Sequence, residues 1–109
     1  MAEHMALWHP DLIVELHLFP TSEGGRRIAT PEQWWGCPIG IGPDYFDARF
    51  DMTQGGSMSP GDTRTLPLKF LNGEAALPLV FVGQVLEVWE GGAKGLATVL
   101  SVVDHAQSP

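Results

Sequence analysis

The chain has 109 residues, which is enough for one domain with a buried core and no disulfide or metal support. Thirteen acidic residues against six basic ones give a net charge of −7, which disfavours binding to nucleic-acid phosphates because that binding depends on clustered Lys and Arg. The longest uncharged apolar run, 75–86, is well short of the ~20 residues of a membrane span. The lone Cys37 and the absence of a signal-peptide pattern lead us to expect a cytoplasmic protein. The acidic net charge and the short apolar run lead us to expect that it binds neither DNA nor membranes.

Residues 1–10 are predicted to form a tail, and the first strand follows over 11–19. In this strand apolar residues recur at every second position from Leu12 to Leu18, which is typical of a half-buried strand, and Pro20 ends it. A polar loop with two glycines then covers 21–27. Around Trp34 and Trp35 glycines and prolines are too frequent for a helix, so we predict a short irregular strand or extended segment.

Two more strands are predicted over 45–51 and 63–71, because apolar and polar residues alternate in both. Between them, Pro60-Gly61 predicts a type II turn. Pro67 lacks a backbone N–H, so it indicates an edge strand or a bulge. Residues 75–82 contain Pro78 and are expected to form an extended connection that packs on the barrel.

The closing element is predicted to be a β-hairpin within 84–103. Its two arms are rich in β-branched residues and flank Gly91-Gly92, whose glycines tolerate the positive φ of a tight turn. A polar tail is expected over 104–109. Six or so short strands, without an amphipathic helix of ten residues, predict an all-β sandwich or barrel.

Three landmarks then occur in a recognisable order. Glu23-Gly24-Gly25-Arg26 follows the first strand with Thr30-Pro31 after it, Pro60-Gly61-Asp62 opens the fourth strand, and Glu90-Gly91-Gly92 lies in the last hairpin. In order and spacing this set resembles the C-terminal β-barrel (third) domain of elongation factor Tu and related translational GTPases, over roughly 11–103. The resemblance implies a single six-stranded antiparallel Greek-key barrel. In that family the barrel packs on a GTPase domain, touches the T-stem side of aminoacyl-tRNA and receives the guanine-exchange factor.

The chain also departs from this family. It has no Gly-x-x-x-x-Gly-Lys-Ser/Thr phosphate loop. Trp89 and Ala93 stand where the family's hairpin carries arginines, and Leu96 and Thr98 stand where it tends to have glycine. The loss of basic groups at the hairpin, in a chain of net charge −7, disfavours a tRNA-binding role.

The first functional hypothesis is a stand-alone, non-catalytic module that binds another protein, because Trp is enriched at binding hot spots. Alternation places Trp89 on the outer face. One of the adjacent Trp34 and Trp35 must also point outward, because neighbouring residues of a strand face opposite sides. The predicted contact residues are Trp34, Trp35, Trp89, Glu90, Gly91, Gly92 and Lys94.

Two alternatives remain open. An RNA- or tRNA-binding barrel would use Arg26, Arg27 and Arg49, with Lys94, as anion contacts, although Arg26 could equally hold its own loop to a neighbouring strand. A small-ligand barrel or enzyme would need a pocket lined by Cys37 and a histidine. We expect no enzymatic activity, metal or cofactor, because no catalytic signature is present and the histidines lack metal-ligand spacing. Those histidines are His4, His9, His17 and His105.

Overall fold

The computed structural model describes residues 9–103, which form a closed barrel of six antiparallel strands. The strands are β1 (Leu12–Leu18), β2 (Trp34–Ile41), β3 (Asp44–Asp51), β4 (Thr63–Phe70), β5 (Val85–Trp89) and β6 (Ala93–Val102). Their order around the barrel is β1-β4-β3-β2-β5-β6. Because β1 lies beside β4 of the β2–β3–β4 meander, the topology is a Greek key. The predicted six-stranded antiparallel barrel is therefore confirmed, while the tails predicted over 1–10 and 104–109 lie outside the described residues except for 9 and 10.

Period-two alternation decides which side chains fill the barrel. The inward positions of β1, β4 and β6 are buried, as the sequence pattern predicted for the first two of these strands. Phe50 and Phe70 are the largest fully buried side chains, and Trp35 and Met52 pack in the same core. Such a core is filled by side chains, as expected for a barrel of this strand number.

The segment around the two tryptophans is extended, as predicted, but it forms a regular eight-residue strand, β2, and not a short irregular one. Met52 N donates to Gln33 O, so these two residues form a hydrogen-bonded pair of the β2–β3 ladder. Hydrogen-bonded and non-hydrogen-bonded pairs alternate along an antiparallel ladder, which places Pro38 in a non-hydrogen-bonded pair with its nitrogen facing away from β3. On the other side, the ladder with β5 covers only Ile39 and Gly40. The missing N–H of Pro38 therefore removes no ladder bond, and the strand continues through it.

The connection after β4 is helical, so the prediction of an extended segment over 75–82 was also wrong. Helix α1 (Gly73–Ala76) is followed by a 3-10 turn over Leu77–Leu79. Asn72 caps α1, because its Oδ1 accepts a hydrogen bond from Ala75 N at 3.3 Å. Pro78 lies in the first turn of the 3-10 segment, where no N–H is needed.

The predictions made from Pro60, which precedes β4, and from Pro67, which lies within β4, had different outcomes. The type II turn is confirmed: Gly61 has φ 93°, and Asp62 N donates to Ser59 O at 3.0 Å. Pro67, by contrast, is not on an edge strand, because β4 has neighbours on both sides. It pairs with Ile13 and lies just beyond the last residue of the ladder with β3. Between residues 9 and 103, no helix has the length and apolar character needed to cross a membrane.

Candidate functional site

The loop after β1 and the closing hairpin meet at one end of the barrel. Arg26 Nη1 donates to Glu90 Oε1 in an ion pair that joins residues 64 apart in sequence. Trp35 Nε1 donates to the second carboxylate oxygen of Glu90 at 3.3 Å. These three residues are called the Arg26 cluster below. The cluster connects the two Glu-Gly-Gly motifs on which the family resemblance rests.

Arg26 is used almost entirely inside the protein. Its guanidinium lies over the Trp35 ring, 5.1 Å from the centroid, and it also donates to Ile28 O and Ala29 O at 3.3 Å each. Its side chain is only 12% exposed. Planar stacking on an aromatic ring combined with several donors is a geometry that suits arginine. Arg26 therefore fastens its own loop to the hairpin, which is the alternative that the sequence left open.

Two glycines give this loop its shape for different reasons. Gly24 has φ 90° and ends a 3-10 turn over Thr21–Glu23, a backbone conformation that favours glycine. Gly25 lies so close to β1 that a Cβ there would be 1.9 Å from Phe19 O. Lys94 Nζ then donates to Gly24 O at 3.2 Å. The predicted hairpin residue Lys94 is thus another internal tie between the loop and β6.

The structure separates the two adjacent tryptophans. Trp35 points inward, is 2% exposed and stacks on Phe50 with 5.3 Å between ring centroids. Trp34 points to the other side and is half-buried. One of the pair faces outward, as alternation required. The prediction that Trp35 itself contacts a partner is corrected, because its ring belongs to the core.

Trp89 lies on the outer surface, as predicted, with an exposed fraction of 37%. Its ring is 5.5 Å from that of Tyr45, which is 51% exposed. Tyr45 Oη in turn lies 3.5 Å from Glu87 Oε1. Tyr45, Glu87 and Trp89 are called the aromatic face below. The sequence reasoning missed Tyr45 as a site residue, although its position on the polar side of β3 was a signal.

The Tyr45 ring can lie against the sheet because its cross-strand neighbour is Gly40. The two residues are paired across β2 and β3, and a Cβ on Gly40 would be 3.3 Å from Tyr45 Cε1. Aromatic rings often cover a cross-strand glycine in this way. The bare backbone at Gly40 therefore helps to bring the Tyr45 ring toward β5 and Trp89.

Most of the basic residues are held by the protein's own acceptors. Besides Arg26 and Lys94, the Arg64 guanidinium donates to Gly56 O at 2.6 Å and Ser57 O at 3.2 Å. Lys69 Nζ lies 3.8 Å from Asp11 Oδ1. The side chains of the two remaining basic residues, Arg27 and Arg49, form no hydrogen bond or ion pair with any residue between 9 and 103.

An open cleft of about 420 Å³ lies beside the Arg26 cluster. Its lining consists of Gly25, Arg26, Arg27, Ile28, Glu90 and Lys94. Arg49 is on β3 and does not line this cleft. Neither Cys37 nor a histidine lines it, so it is not the pocket that the small-ligand hypothesis required.

Cys37 is buried in the core of β2 with 6% exposure. The pKa of its thiol is raised to about 12, mainly by burial, with smaller contributions from the carboxylates of Glu90 and Asp47 and an opposing effect of Arg26. A thiol with this pKa is protonated at neutral pH, whereas the nucleophile is the thiolate. Cys37 therefore lacks the thiolate form that a nucleophilic cysteine needs.

We expect iodoacetamide to label Cys37 at pH 8 more than about a hundredfold more slowly in the native protein than in urea, because labelling requires opening of the core. The raised pKa also predicts that folding stability falls as the pH rises from about 9 toward 12, since the unfolded thiol ionises first. Cys37→Ala is the control, and its stability should lack this part of the pH dependence. Native labelling at the unfolded rate would contradict the burial of the thiol.

Comparison with protein families and with curated proteins gives no relative. No protein-family model matches the chain, and no curated protein shows significant similarity to it. Among the residues from 9 to 103, no group of three or more His, Cys, Asp or Glu side chains could hold a metal ion. His4 and His105 lie outside the described residues.

Proposed function

We propose that this barrel is a non-catalytic protein-binding module that contacts its partner through the aromatic face and the adjoining hairpin, 89–94. The observation that carries the proposal is the pair of exposed rings, Tyr45 and Trp89, 5.5 Å apart on neighbouring parts of the sheet. Trp and Tyr supply large contact areas at a low cost in conformational entropy, and they are enriched among residues that dominate binding energies. A cytoplasmic location is part of the proposal.

The surroundings of the two rings support it. Tyr45 lies on β3 and Trp89 on β5, the two strands that flank β2, and the Glu87 carboxylate lies near the Tyr45 hydroxyl. Behind the hairpin, the Arg26 cluster ties Glu90 to the loop after β1. A surface that is already ordered loses little freedom on binding, which leaves more of the contact energy as affinity. Glu90, Gly91 and Gly92 thus serve the proposal by holding the hairpin in shape.

A relationship to the third domain of elongation factor Tu is also part of the proposal. It is supported by the barrel topology and by the contact between the two Glu-Gly-Gly motifs. In the resembled family this barrel meets other proteins as well as tRNA. The absence of a phosphate-loop motif in this chain agrees with a binding role without catalysis.

The RNA-binding alternative is less well supported by the same structure. Phosphate contacts require accessible cations, and four of the six basic side chains are engaged by acceptors of the protein itself. An RNA contact would depend mainly on Arg27, which is exposed in the cleft, and Arg49, which is half-buried on β3. The two hypotheses differ in their response to salt.

The test is capture of binding molecules from cell lysate with the tagged full-length protein, at low and at moderately high salt, with bound protein and bound RNA quantified separately. We expect one protein to remain bound at both salt concentrations, because an apolar contact is little affected by screening. RNA that binds at low salt and dissociates at high salt would overturn the proposal in favour of the RNA-binding barrel.

A further inference from the structure

A second surface, at the other end of β5, carries no charge. Residues 75–86 and 95–103 contain no Asp, Glu, Lys or Arg, although 17% of the chain is charged. The structure brings these two stretches together: Gly83 N donates to Val99 O at 2.8 Å, and Val99 N donates to Gln84 O at 2.9 Å. Val85 pairs with Thr98 in the β5–β6 ladder, so Leu100 follows on the same outward face.

Six apolar side chains project from this surface, which is called the apolar end below. They are Leu79 (47% exposed), Phe81 (55%), Val82 (63%), Val85 (56%), Leu100 (45%) and Val102 (39%). Together they expose on the order of 500 Å² of apolar area. Single exposed apolar residues are ordinary, whereas an apolar patch of several hundred Å² is often functional.

The apolar end is held in a fixed shape. The Gln84 side chain accepts a hydrogen bond from Phe81 N at 3.0 Å and donates one to Leu79 O at 3.3 Å. The backbone of Gln84 is bonded to β6 as well. The turn that carries Phe81 and Val82 is therefore held by hydrogen bonds on both sides. The solvent exposure of these two side chains is a property of the folded turn and is not caused by fraying.

We infer that the apolar end is the symmetric interface of a homodimer. Two copies that each carry a charge of −7 repel one another, so they can approach closely only through surface without charge. A two-fold interface needs a single patch that is complementary to itself, and an uncharged apolar patch meets that condition. Homodimer interfaces are also more apolar than transient ones. Two such patches of about 500 Å² bury roughly 1,000 Å² in total, which is the lower bound for a specific interface.

The response to salt distinguishes this homodimer from the binding surface proposed above. Glu15 lies opposite Thr98 across β1 and β6, and Glu74 is exposed on α1. Acidic groups therefore lie around the apolar end in both copies. Added salt screens their repulsion while the apolar contact persists, so the dimer should tighten as salt rises. A phosphate contact responds in the opposite direction.

The test is sedimentation velocity of the full-length protein over a range of concentrations and salt. We expect a reversible dimer, with Phe81→Asp raising the dissociation constant tenfold or more, because it would bury a charge in each copy. Val82→Asp, on the same turn, should act similarly. Ile28→Asp is the matched control, because Ile28 is 70% exposed but lines the cleft at the opposite end. Thermal melting of each variant verifies its fold.

Three results would overturn the inference. The first is a monomer at every concentration and salt. The second is an equal loss of dimer in Ile28→Asp. The third is a monomeric wild type that loses a captured protein on Phe81→Asp, which would assign the apolar end to a different partner. Because Trp89 lies at the other end of β5, Trp89→Ala should leave the dimer unchanged, so failure of this inference and failure of the proposed function can be distinguished.

Discussion

Gly25→Ala is expected to destabilise the protein by roughly 3 kcal/mol or more. The added Cβ would lie 1.9 Å from Phe19 O and 2.8 Å from Pro20 O, both of which are backbone atoms and cannot rotate away. Relief requires the loop to move off β1, which would also break the hydrogen bond from Gly25 N to Pro20 O and carry Arg26 away from Glu90. Urea denaturation followed by tryptophan fluorescence measures the loss.

Gly36→Ala is the matched control for this substitution. Gly36 lies in β2 without a positive φ, and its added Cβ would meet Arg49 Nε at an ordinary 3.6 Å. We expect a change within about 1 kcal/mol, because the loss of glycine flexibility in the unfolded chain offsets any small adjustment. Equal stabilities of Gly25→Ala and Gly36→Ala would show that the loop does not approach β1 as closely as described.

Trp35→Ala is expected to cost about 3–5 kcal/mol of folding free energy, the range for truncating a buried large aromatic side chain. The substitution leaves a cavity against Phe50 and removes the donor to Glu90. It also removes the ring over which Arg26 lies. A calorimetric unfolding experiment should show a large fall in Tm. Loss of partner binding by this variant would therefore reflect loss of the fold.

Trp34→Ala is the control, because Trp34 is the neighbouring half-buried residue on the opposite side of β2. We expect its cost in folding free energy to be less than about half that of Trp35→Ala, since folding buries less apolar area at this position. A Trp35→Ala variant that keeps wild-type stability but loses its partner would reinstate the sequence-based idea that Trp35 is a contact residue.

Much of the barrel could be predicted because its signals are local. Alternation in β1 and β4 identifies their buried faces, and Pro60-Gly61 and Gly91-Gly92 identify turns that need a positive φ. These features depend on residues within a few positions of one another. They therefore appear directly in the sequence.

The helical connection was missed for a different physical reason. Asn72 can initiate either a turn or a helix, and the outcome depends on its cap to Ala75 and on the packing of Ala76 in the core. Pro78 favours an extended chain in the sequence pattern, although the first turn of a helix also accepts proline. Tertiary packing decided between two locally acceptable structures.

The site could be predicted only in part because its key contacts are long-range. Alternation shows that Trp34 and Trp35 face opposite sides, but it does not show which side is the interior. The pairing of Arg26 with Glu90 depends on how the barrel closes. The proximity of Tyr45 to Trp89 likewise depends on the register between β2, β3 and β5.

Binding of a protein by the aromatic face is tested by comparing how much of a captured lysate protein wild type and Trp89→Ala retain at moderately high salt. Ile28→Ala is the control, since it removes an exposed apolar side chain outside that face. We predict that Trp89→Ala retains at least about tenfold less of the captured protein, as expected for a hot-spot residue, with unchanged Tm and normal retention by Ile28→Ala. Equal retention by wild type and Trp89→Ala, or salt-sensitive RNA as the main captured species, would contradict the account.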